Sequence, residues 1–383
     1  MLQKIRSYIR QGGWPFITLC MASLICNRNG YISLMGVFVI LVGMIPDVRR
    51  KIDMTGVGLI FYSLTYLMIS TLNGTEYTIH SIFLYGLAPF FFYSYGKIVP
   101  YKWKDEDKLI IFILIIVFCY CLDIFYITIK NIITSGELIN LSRDFSFNGE
   151  TEIGKAATLI GLPMDIAMVG LPIFIISKNR PYRFLFLLLS LLALLVTFHL
   201  LNRTGLIVLM LCTIGLIGWK SRKKPIMILT SLVILFVLFF ILQSLGVLSD
   251  ELLLYYTSRN EDLSTMGDRS YRWLFALQQL FIHPLGWANN GEVYYVHNMW
   301  LDIARISGII PFILLLVFTI SGFINSFRYV RKRDSILSYL LLGLNICFFA
   351  SCFVEPIYGG THFLLYCMLW GLLNTLSNKN ILL

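Results

Sequence analysis

Long apolar blocks alternate with short polar breaks along this chain. Blocks of roughly 18–23 residues recur, the length a helix needs to cross a bilayer. Twelve can be marked, at 14–27, 31–46, 54–72, 81–98, 109–132, 156–177, 184–201, 204–219, 225–247, 299–326, 336–354 and 363–376. Lipid cannot satisfy the edges of an open sheet, and a β-barrel would show short alternating strands instead. The pattern predicts an all-α polytopic membrane protein with about twelve transmembrane helices, forming a single membrane domain over 1–383. The start, "MLQKIRSYIRQGGWPFITLCMASLIC", is basic and then apolar but has no small-residue cleavage site, so it reads as a retained first span.

Two breaks are long, an external loop at 133–155 and a large external loop at 248–298, between spans 9 and 10. A loop of ~50 residues inside a compact protein calls for a function. Part of it, "GDRSYRWLFALQQLFIHPLG", predicts an amphipathic helix with Asp268 as N-cap and Pro284 as its stop. Arg269, Arg272, Ala276, Gln279 and His283 share one face, and Trp273, Leu274, Leu277, Leu280 and Phe281 lie away from it. Such a helix lies on a membrane surface or covers a cavity.

Composition agrees: 57% of residues are hydrophobic, 14% are charged and the mean hydropathy is +0.76, far from soluble usage. The net charge of +10 would raise the question of nucleic acid in a soluble protein. Here the positive groups recur at every second loop. They are Lys4, Arg6 and Arg10, then the segments 48–51, 97–108, 177–183, 220–224 and 327–333, and Lys379. With twelve spans all of these fall on one side, which predicts cytoplasmic termini and assigns the charge to orientation. The eight cysteines lie in or beside apolar segments and form no CxxC pair, so they read as small buried hydrophobes.

That rule leaves the basic residues of the other face unexplained. They are Arg28, Arg143, Lys155, Arg203, Arg259, Arg269, Arg272 and Arg305, with Lys130 near the end of span 5. Most are arginines, whose fork binds phosphate at two points and keeps its charge when desolvated. In "LLVTFHLLNRTGLIVLM" only Asn202, Arg203 and Thr204 separate two apolar runs, so Arg203 sits at the membrane surface. There it must snorkel, pair with an acid or bind an anion. The stretch "YYVHNMWLDIARISGIIPF", residues 294–312, reads as one helix with His297, Leu301 and Arg305 on one face. Asp302 is spaced to pair with Arg305. That spacing gives Arg305 a structural reading, and His297 either caps the helix or does chemistry. Asp105 and Asp107 in "KDEDK" have the spacing of a metal–nucleotide-sugar site, but a short lysine-flanked loop favours a solvated charge run. No HExxH, P-loop, GxSxG or dinucleotide motif is present, and His80, His199, His283 and His362 form no ligand pair, so no metal or cofactor is expected.

"LLNRTGLIVLM" resembles the short span-7/span-8 junction of O-antigen polymerases and O-antigen ligases. "GDRSYRWLFALQQLFIHPLGWANNGEVYYVHNMWLDIARISGIIPF" resembles their large external loop: an arginine, an aromatic helix ending in "HPLG", a variable stretch, then His-Asn leading into a span. Arg143 and Gly154 match an Arg-x10-Gly pattern of some polymerases, whereas the same count from Arg272 reaches His283 instead of Gly. The resemblance implies a GT-C-like membrane glycosyltransferase working at the periplasmic face of the bacterial inner membrane. The donor would be an undecaprenyl-diphosphate-linked oligosaccharide, and a second such lipid would be the acceptor. Membrane lipids and a chain-length regulator protein are the other partners it implies. In that reading Arg203 and Arg269, then Arg272, hold the diphosphate and stabilise its departing charge. His297 is the general base, Arg143 and Arg305 assist binding, and Tyr294, Tyr295 and Trp300 stack on sugars. Transfer would be inverting and metal-independent. Transfer to a lipid A core, as by a ligase, is the close alternative. A polysaccharide transporter or flippase is another, and would show polar groups along several spans or helices broken at mid-membrane; Pro163 is the main hint of that. A non-catalytic scaffold leaves the outer arginines unexplained.

Overall fold

The computed structural model describes residues 52–103, 105–139, 145–147, 150–152, 156–177, 182–200, 202–220, 269–288, 296–354 and 360–378. The expected spans 14–27, 31–46 and 225–247, the N-cap Asp268 and most of the 248–298 loop lie outside these residues. The described chain is helical apart from one small hairpin. It begins with α1 (Met54–Leu72), a short α2 (Ile79–Ile82), a π-helical turn at Phe83–Leu87, α3 (Ala88–Lys102) and α4 (Glu106–Ser135). The hairpin strands are β1 (Phe145–Phe147) and β2 (Glu150–Glu152), followed by α5 (Ala156–Ala167), α6 (Gly170–Ile176), α7 (Arg183–His199) and α8 (Arg203–Lys220). Then come α9 (Arg269–Ile282), α10 (Met299–Ser307), α11 (Ile309–Lys332), α12 (Ile336–Val354) and α13 (Thr361–Asn378).

Four of these, α1, α4, α11 and α12, are long and apolar enough to cross a membrane, which marks a multi-pass membrane protein. Asp53 and Asp105 start two of them. Asp53 Oδ1 accepts from the Gly56 N–H at 2.9 Å, and Asp105 Oδ1 from the Asp107 N–H at 2.8 Å. The carboxylates of "KDEDK" thus cap and tether helices instead of merely facing solvent. Asp107 accepts from the Tyr182 hydroxyl at 3.0 Å, and Glu106 accepts from the Leu337 N–H at 3.2 Å.

Three sequence expectations are corrected by local structure. The external loop at 133–155 holds a two-stranded antiparallel hairpin, with Ser146 opposite Thr151, where only loop was expected. Its connecting sequence is Asn148–Gly149, the dipeptide that most favours tight hairpins. The expected span 156–177 is two helices. Pro172 lacks an N–H and its ring crowds the carbonyl four residues back, so the chain breaks between α5 and α6. The expected span 299–326 is also two helices, because Gly308 adopts φ 78° between α10 and α11.

The core is a bundle in which α12 and α13 are buried on nearly all sides. The closest approach is between α3 and α13. A Cβ on Gly96 would run into the Met368 carbonyl, and one on Gly371 into the Tyr93 carbonyl. Small residues let two backbones touch in this way where lipid supplies no hydrophobic drive between helices. In contrast, α1 exposes Phe61, Leu64, Met68 and Leu72, and α11 exposes Ile313, Val317, Ile320 and Ile324.

Polar contacts gather the helix ends into two groups. At one end Asp53 accepts from Lys97 at 2.5 Å and from the Asn374 amide at 2.8 Å. Lys220 pairs with Asp334 at 2.7 Å, and Lys332 donates to the Ser377 carbonyl at 2.6 Å. At the other end the Asn73 amide donates to the carbonyls of Leu285 and Ile306, at 2.6 and 3.0 Å. The Asn298 amide donates there to the Phe353 carbonyl at 3.1 Å.

Candidate functional site

The second end carries the described outer-face residues singled out by sequence. Its centre is α10, nine residues long and buried on almost every side. Asn298 starts the helix, its Oδ1 accepting from the Leu301 N–H at 3.1 Å. His297 therefore precedes the helix, in the left-handed region at φ 55°. The expected helical face of His297, Leu301 and Arg305 is corrected accordingly: only the last two lie on α10. Residues other than glycine pay for this conformation, and such strain collects at functional sites.

Asp302 holds that turn in place. Its two carboxylate oxygens accept from the Val296 N–H at 3.2 and 3.3 Å, and Oδ1 also accepts from Arg305 Nε at 3.2 Å. Both members of the pair are buried. Arg305, expected among the substrate-binding residues, is thus the counter-ion of the carboxylate that fixes the His297 backbone. A buried charge needs such pairing. Trp300, expected to stack on a sugar, is also buried. Its indole N–H donates to Thr319 at 3.0 Å, and its ring packs at 5.3 Å from that of Phe349.

The amphipathic helix α9 ends at Ile282, two residues before Pro284, as its sequence predicts. Its orientation is the surprise. Ala276 and Leu280 are buried, in a cluster with Trp287, Val296, Leu301 and Ala304. Arg269, Arg272 and Gln279 are half-buried beside that contact, whereas Tyr271, Leu274, Leu277, Phe281 and Ile282 point outward. The expected two-faced pattern is divided differently: the polar stripe flanks the protein contact, and most of the apolar set faces away from it.

Two sets of hydrogen bonds tie α9 and the turn after it to the stretch from Val296 to Ile309. Trp273 Nε1 donates to the Val296 carbonyl at 3.1 Å. Arg272 and His297 are each one residue from that bond. The "HPLG" segment supplies the rest. The Trp287 N–H donates to the Arg305 carbonyl at 2.8 Å, and the Ile309 N–H donates to the Pro284 carbonyl at 2.9 Å. These bonds satisfy backbone groups that the helix break would otherwise leave unpaired.

The "NRT" junction lies between α7 and α8. The Asn202 N–H closes onto the Thr197 carbonyl at 2.9 Å, and Asn202 Oδ1 accepts from the Thr204 N–H at 3.0 Å. His199 Nδ1 lies 2.8 Å from the Leu138 carbonyl, so the junction is stitched to the chain after α4. One acid here escaped the sequence reading. Asp165 of α5 is buried, and its Oδ1 would lie 3.4 Å from a Cβ on Gly205, against the first turn of α8. A carboxylate is favoured at a helix N-terminus. Its signal was available: Asp165 is the only charged residue in the run "LIGLPMDIAMVGLPIFII". Arg203 is the first residue of α8. Its side chain lies outside the described residues, and so do Arg143, Tyr294 and Tyr295. No family model matches the chain, and no curated protein matches it either.

Proposed function

We propose that the chain is a bacterial inner-membrane glycosyltransferase of the O-antigen polymerase kind. In this reading it crosses the membrane twelve times, with both termini in the cytoplasm and its site at the periplasmic face. The end that gathers Lys97, Lys220 and Lys332 is the cytoplasmic one, in accord with the positive-inside rule.

The observation that carries the reading is the Trp273–Val296 hydrogen bond. It holds the arginine-bearing helix and the His297 turn side by side, although His297 comes 24 positions after Trp273 in sequence. Arg269 and Arg272, with Arg203, would bind the diphosphate of an undecaprenyl-linked glycan. His297 would take the proton from a hydroxyl of a second lipid-linked repeat unit. That oxygen attacks the anomeric carbon, and the bond from this carbon to the diphosphate breaks. The electron pair leaves with the diphosphate, whose charge the arginines stabilise. The configuration inverts, and no metal takes part.

Purified protein supplied with lipid-linked repeat units, in the presence of a chelator, tests this. Wild type is expected to give a ladder of longer glycans, and Arg203→Ala, Arg269→Ala and His297→Ala to lose it. Ladders persisting in all three variants would reject the site. Transfer only to a lipid A core would make the chain a ligase.

One observation favours a second reading, a lipid or polysaccharide transporter. Asp165 is buried beside the break between α5 and α6, and broken helices with buried polar groups are features of transport sites. Movement of a labelled lipid-linked glycan across proteoliposomes, lost in Asp165→Asn and unaccompanied by a ladder, would establish it.

A further inference from the structure

The outward side of α9 is more apolar than the side it packs with. Tyr271, Leu274, Leu277, Phe281 and Ile282 are all exposed, Phe281 to 77% and Leu274 to 60%. On a helix bathed in water this arrangement would be inside out, since the polar stripe belongs in solvent and the apolar one against the protein. We propose that α9 is immersed in the bilayer leaflet beside it, its outward face covered by lipid acyl chains.

Continuity with the membrane-facing surface identifies the occupant. The helix is pinned where two span-length helices end and begin. Asn73, which follows α1, donates to the Leu285 carbonyl, and the first residue of α11, Ile309, donates to Pro284. The side chains next to those bonds are exposed and apolar: Leu72 on α1, Leu285 in the turn and Ile310 on α11. The outward face of α9 thus continues the rows on α1 and α11 that a bilayer would cover. An interfacial helix of this kind sinks ~5–10 Å into the boundary between headgroups and acyl chains. Arg269 and Arg272, on the flank turned toward α10, then meet the headgroup layer while the opposite flank meets hydrocarbon. This inference concerns the helix alone and does not require sugar transfer.

Photo-crosslinking of the full-length chain tests it. The crosslinker p-benzoylphenylalanine replaces Phe281, Leu274 or Tyr271. The purified protein is reconstituted in nanodiscs of phosphatidylethanolamine and phosphatidylglycerol, irradiated and weighed by mass spectrometry. Lipid adducts are expected at the three outward positions, with loss of adduct when the probe stands at Gln279. A single chromatographic peak at the unsubstituted elution volume shows that each variant is folded, and the replacement at exposed, already aromatic Tyr271 keeps one outward position testable. Absence of lipid adducts at Tyr271 and Phe281, or covalent dimers in their place, would overturn the proposal; dimers would show that a second copy covers the face.

Discussion

At the scale of single residues, the left-handed backbone of His297 separates chemistry from stability. A residue other than glycine in that region costs about 1–2 kcal/mol. His297→Gly should therefore unfold at the wild-type temperature or higher, while losing the product ladder. A lower unfolding temperature would mean that the imidazole serves the fold. The Asp302–Arg305 pair gives the opposite pattern. Removing one partner of a buried pair typically costs ~3–5 kcal/mol, because the other charge is stranded. Asp302→Ala should lower the unfolding temperature clearly, and Asp302→Leu combined with Arg305→Met should recover much of the loss. If the double variant is no more stable than Asp302→Ala, the pair is not what makes the single change costly. Thermal unfolding in detergent reads both. The pair was legible in the spacing of Asp302 and Arg305, since i and i+3 positions meet on any helix. The special backbone of His297 was not, because its sequence neighbours fit an unbroken helix equally well. Asn298, a good N-cap, was the available hint.

At the scale of elements, the helix break at Gly308 is the joint on which the proposed site turns. A Cβ there would strike the Pro284 carbonyl and would also be held at φ 78°. Gly308→Ala should push the "HPLG" turn away from α10 and α11. Limited proteolysis should then cut near residues 283–288 faster than in wild type; unchanged cleavage would mean that the turn is held elsewhere. The same joint shows why some elements could be read from sequence and others could not. The edges of α1, α7, α12 and α13 fall within a few residues of the expected spans, because apolar length and turn residues act locally. The division of 299–326 falls at Gly308, and the partners of its backbone groups, the Pro284 carbonyl and the Trp287 N–H, come from a turn some twenty residues earlier that the pattern around Gly308 does not encode. Pro172 did encode the break between α5 and α6, but its place in an apolar run hid it. For α9 the period predicted the helix but not which flank faces protein, since lipid and protein interior both accept apolar side chains.

At the scale of the whole molecule, the two groups of helix ends turn a charge pattern into a testable orientation. Lys97, Lys220 and Lys332 are held at one end by Asp53, Asp334 and the Ser377 carbonyl. The "HPLG" turn, the His297 turn and the end of α12 meet at the other. In the proposed orientation the first end is cytoplasmic, because translocating so many cations opposes the insertion bias. The five described cysteines that are fully buried, Cys121, Cys212, Cys347, Cys352 and Cys367, should give little background labelling. Cysteines introduced singly at exposed positions can then report sidedness against the unsubstituted chain. Glu137→Cys and Gly360→Cys should react with a membrane-impermeant maleimide on intact cells, and Lys102→Cys and Arg331→Cys only after permeabilisation. The reverse pattern would place His297 and α9 at the cytosolic face, where a periplasmic polymerase could not use them. Labelling that mixed the two sets would break the two-ended arrangement itself. The orientation is thus exposed to a test independent of catalysis, and every role proposed for the outer arginines depends on its outcome.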